Sequence, residues 1–527
     1  MKRLENPNWR KKRERSNRLR LAVLAALILL PLAAASGYIL NKNFSGSAET
    51  VGDSHLADPN FQGDKIVVKA GESFQTALNR AKPGDTILLE AGTEFTGAFE
   101  LPNKPGDRFI TIRSSASDTQ LPPSGKRIEP KKYRGFLPKL RSDVKGSPVI
   151  TAINGAHHYR FTGIEFMPTP EGVGNIVQIG TSEETNIGQL PHHIEFDRVY
   201  IHGSEEYGQR RGIAANGRHI RIANSYISNI KRIGDESQAV AVWSTDGPVE
   251  IVNNYLEAAA IGILFGGGGS PLKLIPTNCL VKDNHINKPL EWKSQDWVVK
   301  NIFEIKNGRN IRVENNLMTN NWAKGQVGTA IVFTTRADND NVVIENIEFS
   351  NNIVRGSGNA INVYGSEGAG GRGLAIRNNL FDDINGSKWG GSGHFLIATE
   401  WKGLTIENNT VIQNGNITNA YGRPVSDFIF RNNIVFHNDY GFFGDNSSVG
   451  TGSINKYFPR SVIENNVIVG ADQNSLGRTN FYPSSIRQIG FEDMKNYKLS
   501  KESPYRSRGA GGKGIGAELD PTAVGGN

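Results

Sequence analysis

One cysteine, Cys279, is the only thiol in the 527-residue chain, which excludes an internal disulfide and a cysteine-built zinc site. Cys279 opens a strand-like phrase, where a buried small hydrophobe is expected rather than a reactive thiol. An excess of one charge is also missing once the first twenty residues are set aside. That head, "MKRLENPNWRKKRERSNRLR", holds nine Lys/Arg and two Glu, while the rest of the chain balances 51 Lys/Arg against 50 Asp/Glu. The overall +8 is therefore no nucleic-acid footprint, which would spread basic residues over the folded body, and no nucleic-acid partner is expected. Repeated amphipathic runs of ten or more are absent, which excludes a helical solenoid, and the pattern of leucine-rich repeats is absent too. The "GGGGS" at 266–270 lacks the lysine and the strand–helix setting of a phosphate loop.

What is present begins at the N-terminus. The basic head, 1–20, abuts twenty uncharged residues, 21–40, "LAVLAALILLPLAAASGYIL". Basic on one flank and apolar for a bilayer's thickness reads as an export signal or a transmembrane anchor. "AAAS" offers a cleavage site, while the long head and full span favour an uncleaved anchor. Either way the body is expected outside the cytoplasm, in the cell envelope, as a single chain. Residues 41–63 are polar and Gly/Ser-containing, a tether. Residues 64–108 form an N-terminal cap: "ESFQTALNRA" sets Phe74, Ala77, Leu78 and Ala81 on one helical face between two strands, and "KPGD" ends the helix.

From 109 to 472 one phrase recurs: "VEIVNNYLEAA" from Val249, "IRVENNLMTNN" from Ile311, "IEFSNNIVRGS" from Ile347, "LAIRNNLFDDI" from Leu374, and again from Leu404, Phe428 and Ser461. A period of some 24 to 36 residues signals one elongated solenoid, with insertions at 114–147 and 266–278. Propeller blades need several antiparallel strands in a longer repeat. About thirty residues, three short strands and an Asn-Asn corner predict a parallel β-helix, all-β and right-handed by the crossover rule. Asparagine tolerates left-handed backbone angles, and its amide both donates and accepts. One Asn is expected to make the corner, and stacked Asn residues to tie the coils together. A C-terminal segment, 473–527, breaks the pattern and is expected to close the far end.

"FQTALNRAKPGDTILLEAGTEFTG" and "SPYRSRGAGGKGIGAELD" are similar to the opening and ending of right-handed β-helix proteins of the pectate-lyase-like superfamily, including chondroitinase- and alginate-lyase-type enzymes. In the ending, Gly511, Gly512 and Gly514 replace acids the superfamily usually carries. The stretch from "DESQAVAVWSTDG" to "IVFTTR" resembles a group of exported bacterial β-helix repeat proteins. The resemblance covers roughly residues 65–520. It specifies fold and not reaction, because this scaffold carries lyases, hydrolases, epimerases and adhesins.

In that superfamily the strand preceding the "IxVxNN" strand faces the substrate. Here it includes "NIFEIKN", "TAIVFTTR" and "NAINVYG". Alternation turns Phe303 and Ile305 inward and Glu304 and Lys306 outward, with Thr334, Arg336, Asn362 and Tyr364 outward on later coils. A lyase of uronate polymers needs a neutraliser for the carboxylate, a base for the C5 proton and an acid for the leaving oxygen. Arg336 or a calcium ion, the one cofactor these roles admit, suits the first; Lys306 suits the second and Tyr364 the third, with Glu304 beside them. The plainer reading makes Glu304 and Lys306 an exposed ion pair of little energetic worth. Asn362 on its strand and Asp235, Glu236, Lys288 and Trp292 from flanking loops are candidate substrate contacts; the acids could equally be calcium ligands, half of a hydrolase carboxylate pair, or simply solvated, and a loop Trp is often a packing plug. "STDG" (244–247) echoes part of a polygalacturonase signature without its paired aspartates. "AHHY" and "PHHI" place neighbouring histidines where strands begin; side chains one apart on a strand diverge, which argues against a shared metal. The leading expectation is a polysaccharide lyase acting by β-elimination. The alternatives are a non-catalytic glycan-binding scaffold and a uronate epimerase.

Overall fold

The computed structural model describes residues 63–336, 341–473, 475–520, 522 and 524–526. The basic head, the apolar stretch 21–40 and all but the last residue of the tether lie outside them, so the anchor or signal has no structural description. Among the described residues no helix is long and apolar enough to cross a membrane.

Each repeat supplies three short strands, and every pairing between them is parallel. Three sheets result: sheet I has 14 strands, sheet II has 12 and sheet III has 13. Sheet I collects the strand before the Asn pair, sheet III the strand after it, and sheet II the strand that closes the coil. Register is kept over long distances: Ile311 lies beside Ile347, Ile347 beside Leu374, Leu374 beside Leu404, and Leu404 beside Phe428. Apolar side chains of all three sheets fill the interior, with Phe303, Phe333, Phe349, Phe381 and Phe395 fully buried. The chain is a right-handed parallel β-helix. The helix Phe74–Arg80 covers its first coils: Ser73 caps it by accepting from the Thr76 amide at 3.2 Å, and Phe74, Ala77 and Leu78 are buried.

The two asparagines divide the labour at the corner. The first takes the left-handed bend, with φ of 53° at Asn253, 59° at Asn315 and 58° at Asn351, and its half-buried amide bonds along an outer column, Asn253 to Asn224 and Asn378 to Asn351. The second is wholly buried and builds the ladder. Asn284 donates through Nδ2 to Asn316 Oδ1 at 3.0 Å, Asn316 to Asn352 at 2.9 Å, and Asn352 to Asn379 at 3.1 Å. The column runs on through Asn409, Asn433 and Asn466 to Asn480.

The outer faces differ. Sheet I carries cross-coil ion pairs, Arg160–Glu195 at 2.6 Å and Arg309 and Arg372 each 2.7 Å from Glu345. Sheet III is covered by the C-terminal segment, whose Ile489, Leu499 and Ile515 pack on Ile434 and Val467, and whose Tyr497 and Val524 pack with Ile353 and Leu380. That segment does more than close an end. After Gly509 it doubles back along the Asn corners: Gly516 donates to the Asn432 carbonyl (2.8 Å), Glu518 to Asn378 Oδ1 (2.7 Å) and Gly525 to the Asn315 carbonyl (2.9 Å). Arg127, from the 114–147 insertion, meets it there. Its guanidinium donates to the carbonyl oxygens of Gly525 (2.6 Å), Asn253 (3.2 Å) and Asp283 (3.1 Å) and to Asn253 Oδ1 (3.2 Å).

Candidate functional site

With sheet I dressed in ion pairs and sheet III covered, sheet II is the face left for chemistry. In Asn301–Ile305 alternation buries Phe303 and Ile305 in the interior and turns Glu304 to the outer face. Register extends this outward column from Leu264 through Glu304, Val332, Asn362 and Ile397 to Asn419. A second column beside it pairs Thr334 with Tyr364 and Tyr364 with Thr399. Lys306 sits at its head, since its neighbour Ile305 pairs with Phe333. The Arg336 amide donates to the Lys306 carbonyl at 3.1 Å. The structure thus brings Glu304, Lys306, Arg336, Asn362 and Tyr364 onto one face.

The electrostatics centre on Glu304. It is 4% exposed, and burial pushes its carboxyl above the usual range, opposed by the positive charges of Lys306, Lys300 and Arg336. Lys306 Nζ lies 3.8 Å from its Oε1, while Arg336 lies 3.7 Å from Glu367. Three buried oxygens on this outward column have no hydrogen-bond donor: Glu304 Oε2, Asn362 Oδ1 and Asn419 Oδ1. The glycine run 266–269 forms one wall. A Cβ on Gly267 would fall 2.8 Å from Lys306 Cδ, and one on Gly268 2.5 Å from the Trp243 ring, so this loop must be bare to lie on them.

Of the loop candidates, Glu236 lies close enough for its charge to raise the Glu304 carboxyl further, while Lys288 and Trp292 lie at another corner. Asp235 pairs with Arg210 at 2.8 Å and Glu236 with Lys300, so each acid faces its own cation at the turn leading into Gln238–Val242. Lys288 is 1% exposed and binds the corner between sheets III and II. Its ammonium donates to the carbonyls of Ala258 (3.0 Å), Ala259 (2.8 Å), Ala260 (3.1 Å) and Asn301 (2.9 Å). Burial pulls its pKa down to about 7; four carbonyls, more than the N–H groups of a neutral amine can serve, hold the proton on. Trp292 is buried at the same corner with Trp297, Trp322 and Trp389, and Lys231 Nζ lies over the Trp292 and Trp297 rings at 5.1 and 4.8 Å. These loop side chains plug a corner and present no face to solvent. Cys279 is likewise buried, its thiol pushed up to about 12.

Sequence reasoning passed over Lys300, Glu367, Trp243 and Asn419. For Asn419 a signal existed: "TNAYG" at 418–422 repeats "INVYG" at 361–365, two coils on in the same columns. The structure also corrects the premise about the histidines. His158 and His193 take left-handed φ of 58° and 52°, which swings each towards its predecessor. His157 and His158 approach Nδ1 to Nδ1 at 2.7 Å, and His192 and His193 at 2.8 Å. Neighbours diverge only on regular extended backbone.

No protein-family model matches the chain, and no curated protein sequence matches it. Among solved structures it is similar to XylC in complex with xylose, at 11% identity and a TM-score of 0.43 over 80% of this chain and 86% of that one. It is similar to a PL6 alginate lyase in complex with a trisaccharide, at 12% identity and TM-score 0.40, over 88% and 95%. It is also similar to the A-module of the Azotobacter vinelandii mannuronan C-5 epimerase AlgE6, at 11% and 0.33, over 76% and 94%. The chain's own three parallel sheets make it a parallel β-helix.

Proposed function

We propose that the outer face of sheet II binds a uronate-containing polysaccharide and that the protein is a lyase cleaving it by β-elimination. The observation that carries this reading is the outward column that sets Glu304, Asn362 and Asn419 on alternate coils of one face, beside Lys306, Arg336 and Tyr364. Carboxylate and amide groups repeated at every second coil suit a polymer whose hydroxyls recur along its length. Arg336, 67% exposed in its side chain and paired with Glu367 at 3.7 Å, is the cation that can turn to a uronate carboxylate. Lys306 takes the C5 proton and Tyr364 gives one to the leaving oxygen. Lys306 must first shed its own proton, and Glu304, whose carboxyl burial has made a better proton acceptor, stands next to it. The same row also supports plain glycan binding, which needs only the acceptors; an epimerase would share the proton abstraction. The basic head followed by an apolar span supports a cell-envelope location with the body outside the cytoplasm.

The test is to incubate the full chain with a panel of uronate polymers and follow the absorbance of unsaturated ends. A rise is expected, and Lys306→Ala should lower its rate by roughly 10²–10⁴-fold with an unchanged melting temperature. Full activity in Lys306→Ala removes that residue from the role. New reducing ends without the absorbance would indicate a hydrolase, and binding without either a scaffold. Activity that survives a chelator assigns carboxylate neutralisation to Arg336; activity that needs added Ca²⁺ assigns it to calcium.

A further inference from the structure

Away from sheet II, five histidines gather where three adjacent strands of sheet I begin. His157 lies in register with His192, and His192 with Arg218. The next residue in each strand is again a histidine, His158, His193 and His219, each in the left-handed region. Later coils bend at this same position, but with Asn278, Asn310, Asn346, Gly373, Gly403 and Asp427, residues whose tolerance of that backbone is sufficient explanation. Imidazole is therefore not needed for the bend. It is confined to three consecutive coils, and in two of them it is doubled.

The rings form two stacks. His157 lies on His192 at 4.5 Å between centroids with planes 4° apart; His158 lies on His193 at 4.5 Å, and His193 on His219 at 4.4 Å. Across the stacks each coil presents two Nδ1 atoms to each other. A neutral imidazole has one N–H and one lone pair, so each Nδ1–Nδ1 contact holds a single proton between two ligand atoms. Moving that proton to Nε2 frees both lone pairs with no change of charge. One ligand atom from each of His157, His158 and His192 lies within 4.8 Å of the others. In a tetrahedral site with Zn–N bonds of about 2.0–2.1 Å the ligand nitrogens lie about 3.3–3.4 Å apart, so each Nδ1 pair must open by about half an ångström and the widest separations must close by about 1.5 Å. Arg218, whose charge bears on His192, is paired with Asp246 at 2.9 Å.

We propose that His157, His158 and His192, with His193 as the fourth imidazole, form a site for a divalent metal of the kind that takes nitrogen ligands, such as Zn²⁺ or Ni²⁺, which clamps neighbouring coils of sheet I together. The full chain, without an affinity tag and stripped with a chelator, is titrated with Zn²⁺ by calorimetry and with Co²⁺ by visible absorption. Wild type should bind one Zn²⁺ per chain, give the Co²⁺ bands of an imidazole site, and melt at a higher temperature with Zn²⁺ than without. His158→Asn/His193→Asn places at the bend the residue that other coils use, so the metal-free fold should persist. Its Zn²⁺ affinity should drop more than about a hundredfold, beyond what losing an outer-shell partner costs. Should that variant fail to fold, His157→Gln, on the ordinary extended backbone, is read in the same way. His437→Asn, a histidine outside the cluster, should change nothing. Absence of Zn²⁺, Ni²⁺ and Co²⁺ binding by the folded wild type, or a cluster variant that binds as tightly as wild type, overturns the proposal.

Discussion

At the residue scale, two adjacent asparagines with identical chemistry have opposite tolerances. Asn315 supplies the left-handed backbone angle and a half-buried amide that donates to Asp283 Oδ1, so Asn315→Gly, which keeps the angle and drops that bond, should cost about 0.5–1.5 kcal/mol. Asn316 is there for its side chain, which accepts from both the amide and the Nδ2 of Asn284. Asn316→Ala leaves those two buried donors unserved and should cost roughly 3–5 kcal/mol, read as a shift of the denaturant midpoint. Glu304 gives a pH prediction. Its folded-state pKa is raised, so the folded chain holds a proton that the unfolded chain has released. Stability should therefore fall as pH rises from the ordinary carboxylate value through the raised one. Thermal melts across that window should show this slope in wild type, and Glu304→Gln should flatten it.

At the scale of strands and corners, the alternation in "NIFEIKN" and the Asn-Asn phrase were legible because both are local: one depends on the period of two, the other on what a single residue's backbone allows. The facing of Glu304 and Lys306 followed from them. Lys288, Trp292 and the histidines were not legible, and for a shared reason. Lys288 matters because three successive carbonyls, Ala258 to Ala260, turn towards one point one coil away, and nothing in "HINKPLEW" records where the coil before it turns. The histidine pairs converge because of a bend that the strand rule does not contain. Lys288→Met should strand four carbonyls and destabilise the protein by more than about 3 kcal/mol, while glycan binding on sheet II stays as in wild type. Equal loss of binding and stability would instead tie this corner to the ligand face.

At the scale of the whole molecule, coils contact chiefly their neighbours, as in any solenoid, and the C-terminal segment and the Arg127 insertion are exceptions. The segment touches the corners at Asn432, Asn378 and Asn315 and then the Arg127 insertion. Removing residues 509–527 should lower the melting temperature more than Arg127→Ala does, and should open the corner loops to limited proteolysis without altering the sheet content seen by circular dichroism. An unchanged proteolysis pattern would show that the strap merely rests on the coils.

The strap comes after every coil it fastens, so a ribosome delivers it only when those coils are already made. Until then each new turn is held by the turn before it and by nothing running lengthwise. A stalled or prematurely terminated polypeptide would carry most of the β-helix yet lack its lashing, and quality-control proteases would meet a body of nearly native shape with an unguarded seam.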